Sequence, residues 1–121
     1  MRTIKINFNN ADVIPQGYYN VIIKDVKLKT SKSSSNQYLN WKLEISDGDH
    51  AGKYIFLSTS LSTSAQWYLK RFLCAINYPL EDETVELNLD KTKGRPLWVQ
   101  LIPDSFNGKQ SYQIIDFGPP T

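Results

Sequence analysis

The chain has one cysteine and one histidine in 121 residues. A single thiol, Cys74, excludes an internal disulfide, and with only His50 to join it no zinc site of the cysteine–histidine kind can be assembled. No apolar run approaches the ~20 residues of a membrane-spanning helix, and no charged-then-apolar leader opens the sequence. A cytoplasmic protein is expected. There is no phosphate-loop pattern, no cofactor motif and no nucleophile paired with a base. Glu81, Asp82 and Glu83 stand in a row, but consecutive loop side chains diverge and no second cluster completes a coordination sphere. His50 beside Asp49 reads as a surface histidine, and Cys74 as an inert thiol on a helix. The expectation is no enzyme, no metal and no cofactor.

What the chain does have is segregated charge and strong alternation. Fourteen Lys and Arg stand against twelve Asp and Glu. Five of those acids (Glu81, Asp82, Glu83, Glu86 and Asp90) fall in one ten-residue stretch without a base, so the remainder carries fourteen bases against seven acids. A length of 121 residues with 40% hydrophobic content suits one domain with a single core, spanning 1–121. Within it, residues 1–15, where Ile4, Ile6 and Phe8 alternate with Lys5 and Asn7, are either an N-terminal arm or an edge strand. Residues 118–121 form a short tail.

The most informative stretch runs from Lys24 to Ile45. Leu39, Trp41, Leu43 and Ile45 recur at every second position, while Tyr38, Asn40, Lys42 and Glu44 point the other way. That is the period of a strand with one buried face. Before it lies the polar loop Thr30–Gln37, entered past Lys29 and carrying Lys32. Upstream, Tyr19, Val21 and Ile23 share one parity, whereas Val26 and Leu28 share the other. A bulge near Lys24–Asp25 would return both sets to one interior and give a single bent strand; two short strands are the alternative. Asp47-Gly48 marks a turn into a third strand, Lys53–Leu57, of ambiguous parity.

Ser60–Tyr78 reads as the helix, with Ser62 or Ser64 as its cap and Pro79 just past its end. Ala65, Leu69, Phe72, Leu73 and Ile76 form its apolar stripe, bordered by Tyr68. Trp67, Lys70, Arg71 and Cys74 lie opposite. An indole on that side calls for a covering loop, a second subunit or another protein. Val85, Leu87 and Leu89 alternate, so part of the acidic connection could pair as a strand. After the basic turn Lys91–Arg95 come a strand through Leu97, Val99 and Leu101, a loop Pro103–Gln110, and a last strand Ser111–Phe117.

Three strands, one helix and two more strands is the element order of the OB-fold. This is an all-β fold with one helix, a five-stranded Greek-key barrel whose helix lies between strands 3 and 4. Ligands there lie on the face of strands two and three, gripped by the loops joining strands one to two and four to five. With that order in place, G-Y-Y-x-V-I-I-K-x-V with S-K-S, then Y-L-x-W-x-L-E-I, A-G-K-Y-I-F, S-L-S-x-x-A-x-W-Y-L-K-R-F-L and the later G-R resemble small phage-encoded single-stranded DNA-binding proteins. The resemblance spans about Gly17–Phe117 and rests on the order of several weak motifs. It implies a domain that coats and protects, without reading sequence, the single strand exposed in phage DNA replication or recombination. Such proteins often end in an acidic tail that recruits replication partners. This sequence ends Gly118-Pro119-Pro120-Thr121, so recruitment through such a tail is not expected.

Binding a single strand needs flat side chains for bases and cations for phosphates. The stacking candidates are Tyr38 and Trp98, on outward parity, and Phe106 on a loop, with Tyr54 or Phe56 added, whichever points out. The phosphate candidates are Lys27, Lys29, Lys32, Lys42 and Lys53 on or beside the face, and Lys93, Arg95 and Lys109 at its rims. The competing reading is a protein-interaction module on the same barrel, an inhibitor or assembly factor, using Trp67, Lys70 and Arg71 toward a second copy or another protein.

Overall fold

Alternation in the second strand sets the core. The computed structural model describes Thr3 and residues 14–33, 36–80, 87–106 and 109–120, the side chains of 105, 106, 109 and 110 excepted. Strand β2, Gln37–Ile45, buries Leu39, Trp41, Leu43 and Ile45 and keeps Tyr38, Asn40, Lys42 and Glu44 at its outer side. Trp41 is fully buried. Its Nε1–H donates to Thr59 Oγ1 at 2.9 Å, which satisfies the one polar group that burial of the indole would otherwise strand.

Strand β1, Gly17–Thr30, is one bent strand of 14 residues. Its first half pairs antiparallel with β4, Pro96–Phe106, and its second half with β2. The register with β2 slips between Ile23 and Asp25, so Lys24 is the extra residue of a bulge. Val21, Ile23 and Val26 therefore all enter one interior despite their change of parity. At the bend the backbone of Ile23 is held by the segment before β4, Gly94 N–H donating to Ile23 O at 2.7 Å and Ile23 N–H to Arg95 O at 3.0 Å. Leu28 is a correction. It was expected inside with Val26, but β4 pairs with β1 only as far as Ile22, and Leu28, although opposite the buried Leu39, is exposed.

Strand β3 is Tyr54–Ser60 and β5 is Lys109–Gly118, giving one antiparallel sheet of order β3-β2-β1-β4-β5. Among the described residues no ladder joins β3 to β5, so the expected closed barrel is corrected to an open sheet whose two edges touch. Helix α1, Gln66–Ala75, packs on both of those edges. It lies between the third and fourth strands in the chain, as the element order required. Phe72 anchors it, 4.6 Å from Trp41 and 5.5 Å from Phe117 between ring centroids.

Several boundaries differ from expectation. The helix is ten residues long because Ser60 completes β3 and Thr63–Ala65 form a separate 3-10 turn; neither Ser62 nor Ala65 makes a side-chain cap. It ends at Ala75, and two residues on Asn77 takes the left-handed conformation (φ 59°) common just past a helix end. The loop expected at Pro103–Gln110 is largely strand, with β4 and β5 paired as far as Phe106 and Lys109. Leu89 lies in a 3-10 turn, Leu89–Thr92, rather than in a strand; Val85 and the acids 81–86 lie outside the described residues, as does most of the expected N-terminal arm. Within the arm, Ile14 is buried and donates its N–H to the Tyr112 hydroxyl at 2.9 Å.

Candidate nucleic-acid interface

The bulge and the two ladders fix which outward residues stand side by side. Lys29 pairs with Tyr38, which pairs with Ser60; Lys27 pairs with Asn40, which pairs with Ser58; Asp25 pairs with Lys42, which pairs with Phe56. Three rows across three strands thus put Lys27, Lys29, Lys42, Tyr38 and Phe56 on one outward surface. Tyr54 and Phe56 have the same parity, so both point out, 43% and 55% exposed. Lys42 Nζ lies 4.3 Å from the Tyr54 ring centroid, a cation held over a ring face. Between the strands lies an open depression of about 220 Å³, lined by Asp25, Val26, Lys27, Lys29, Asn40, Lys42 and Phe56.

One acid sits among those bases. Hydrogen bonding from the Val26 backbone N–H, aided by Lys93 and Lys27, holds the Asp25 carboxyl below its ordinary value despite the opposing effect of burial. Lys93 Nζ reaches Asp25 at 3.5 Å and Asp90 at 3.6 Å. Lys24, the bulge residue, reaches Glu44 at 3.4 Å. The two Lys93 pairs are exposed and hold their acids lightly, whereas Glu44 is half-buried beside Lys24.

Other candidates lie elsewhere. Lys32 is exposed in the loop after β1, beyond Lys29 and next to the face. Lys53 has the parity of the buried Ile55 and places its ammonium 3.1 Å from His50 Nδ1, at the β2–β3 turn rather than on the face. Arg95 is also removed from the face. Its Nε donates to Lys91 O at 2.7 Å and its Nη1 to Asn77 O at 3.1 Å, while the guanidinium lies over the Tyr78 ring. Those contacts tie the basic turn to the end of the helix and leave Arg95 a structural part. Phe106 and Lys109 face each other at the end of the β4–β5 ladder, not on a loop; their side chains lie outside the described residues. Trp98 points outward from β4, but away from the lysines, beside Tyr18 of β1. Tyr18 was missed. Its parity, opposite to Tyr19, Val21 and Ile23, was the available signal.

On the helix, Trp67 is 67% exposed and touches only the edge of Tyr68 among the described rings. Arg71 pairs with Asp116 of β5 and covers the Phe117 ring at 4.7 Å. The Arg71 hydrogen bond, with the Phe117 N–H, keeps the Asp116 carboxyl below its ordinary value. No group of His, Cys, Asp and Glu suited to a metal ion occurs among the described residues, and none of their helices is long and apolar enough to cross a membrane.

The model of a family described as a protein of unknown function, DUF669, matches residues 3–96 of the chain. That span contains β1, β2, β3 and the helix, and hence the whole lysine face. No curated protein matches the chain.

Proposed function

The chain belongs to the DUF669 family, which brings no activity with it, and we propose from the face itself that this protein binds single-stranded DNA with little regard for sequence. The observation that carries the reading is the alignment of Lys29 with Tyr38, Lys27 with Asn40, and Lys42 with Phe56 on one outward surface. Lysines at that spacing meet successive phosphates, and rings as exposed as Phe56 and Tyr54 offer flat apolar surface to bases. Stacking tolerates any base because every base has a flat face. Duplex DNA hides those faces in its stack, so binding to duplex is weak. The resemblance to small phage-encoded single-stranded DNA-binding proteins adds support, and it extends the proposal to the strand exposed in phage replication or recombination.

The test is a titration of the purified protein with an oligothymidine of ~16 nucleotides, the upper end of the site sizes of such folds, over a series of salt concentrations. The expected result is tight binding that weakens steeply with salt, by ~0.7 log units per log unit for each phosphate neutralised. No binding at low salt overturns the reading. It would then favour the alternative class, a protein-interaction module, for which the exposed Trp67 with Lys70 beside it is the surface to examine.

A further inference from the structure

Away from the lysines, the same outer surface carries a second aromatic group. Tyr18 and Trp98 meet edge to face, 5.7 Å between centroids at 62°. Their seat depends on Gly118. A Cβ built there would lie 2.6 Å from the Trp98 ring, so the indole lies directly across the β5 backbone where any side chain would lift it off. Tyr18 stands against its edge and is 69% exposed, the most exposed large apolar side chain described. Neither ring contributes to the buried core. A fixed, outward pair of rings with no interior to fill is surface of the kind that takes a ligand.

The pair is continuous with the lysine face. Tyr54, Glu44, Ile22 and Pro96 form one row across four strands, and Trp98 is two residues farther along β4. With strands ~4.8 Å apart and ~3.3 Å per residue, roughly 16 Å of sheet separates Tyr54 from Trp98. Lys24 and Lys93, at the bend of β1, lie between the two groups. Lys24 is 53% exposed and Lys93 45%, so both ammoniums remain open to a phosphate beside their carboxylate partners Glu44, Asp25 and Asp90.

We propose that Tyr18 and Trp98 form a second base-stacking subsite for the same single strand, which crosses the sheet from the Phe56–Lys42 surface over Lys24 and Lys93. The inference rests on the single-stranded DNA reading above and adds to it a path and a length dependence. A short oligonucleotide fills the lysine face alone. A long one reaches both groups.

The experiment compares oligothymidines of ~4 and ~16 nucleotides, the two ends of the range for a fold of this size, on native protein, Tyr18→Ala and Phe56→Ala. Tyr18→Ala should weaken the long oligonucleotide about tenfold more than the short one, the scale of one lost stacking contact. Phe56→Ala should weaken both lengths alike. Photocrosslinking of the long oligonucleotide, substituted with bromodeoxyuridine, to native protein should label Tyr18 or Trp98, and this readout needs no variant to fold. If the native protein binds both lengths but Tyr18→Ala affects them equally or not at all, and no crosslink maps to Tyr18 or Trp98, the second subsite is wrong and the lysine face stands. If the native protein binds neither length, both proposals fall together.

Discussion

Two basic regions of this molecule differ less in charge than in what their cations are already bonded to. Before β4, Lys91, Lys93 and Arg95 are concentrated in five residues, yet Arg95 is spent on the carbonyls of Lys91 and Asn77, and Lys93, still half open to solvent, is shared between Asp25 and Asp90. On the sheet, Lys27, Lys29 and Lys42 are spread over two strands, and only pairing brings them together. Among the described contacts, Lys42 leans on a ring face and none of the three has a carboxylate within ion-pair distance. A cation bonded to its own chain stabilises the fold. One facing solvent is available to a phosphate.

Removing cations from the two regions should therefore fail in different ways, and the largest effect is expected on the sheet. Replacing Lys27, Lys29 and Lys42 by alanine together should lower the salt slope for single-stranded DNA by ~2 and weaken binding about a hundredfold near ~0.1 M salt. Thermal unfolding should move little, since Lys27 and Lys29 are exposed and the half-buried Lys42 loses mainly its contact with the Tyr54 ring. An unchanged slope would mean that these lysines meet no phosphate.

Arg95→Ala should show the opposite pattern. The guanidinium donates to carbonyls from two segments and covers Tyr78, so its loss should cost ~1–3 kcal/mol of stability by denaturant titration. DNA affinity per folded molecule should be kept. A variant as stable as the native protein but weaker in DNA binding would return Arg95 to the phosphate contacts.

The contrast also marks where sequence reading succeeds and where it stops. The face of β2 was legible because alternation is a local property, and Trp41 was placed inside from parity alone. The bulge at Lys24 was legible because a parity change between Ile23 and Val26 needs one extra residue to keep a single interior. Arg95 was not legible. Its partners at Asn77 and Tyr78 lie beyond a segment whose path no local pattern dictates, and a lysine or arginine in a turn looks the same whether free or bonded. The β4–β5 hairpin was cut short for another reason. Pro103 reads as a strand breaker, but β4 outruns β1 at Leu101, so Pro103 sits where one edge of the strand is open and its missing N–H disturbs no β1 ladder. Tyr18 was assigned no part because parity shows only that a ring faces out, not that a glycine on another strand leaves room for the indole beside it.

The smallest effect sits at the join between the two regions, where Lys93 of the turn reaches Asp25 of the face. Asp25→Asn keeps the shape of the side chain and removes the charge. Lys93 then has Asp90 as its one remaining carboxylate partner among the described contacts, and a phosphate can compete for it. The salt slope should rise by up to ~0.7 and the affinity with it. Stability should change in a definite pH window. The folded state holds the Asp25 carboxyl below its ordinary value, through the Val26 N–H first and then Lys93 and Lys27. Its contribution is thus fully present above the unfolded value of ~3.9 and is lost as pH falls through the lower folded value. Asparagine does not ionise, so the acid limb of a stability–pH curve should be flatter in the variant than in the native protein, with the curves differing least at the lowest pH. A flatter acid limb with no change in salt slope would show that the pair is formed but that Lys93 belongs with Arg95, to the fold and not to the strand.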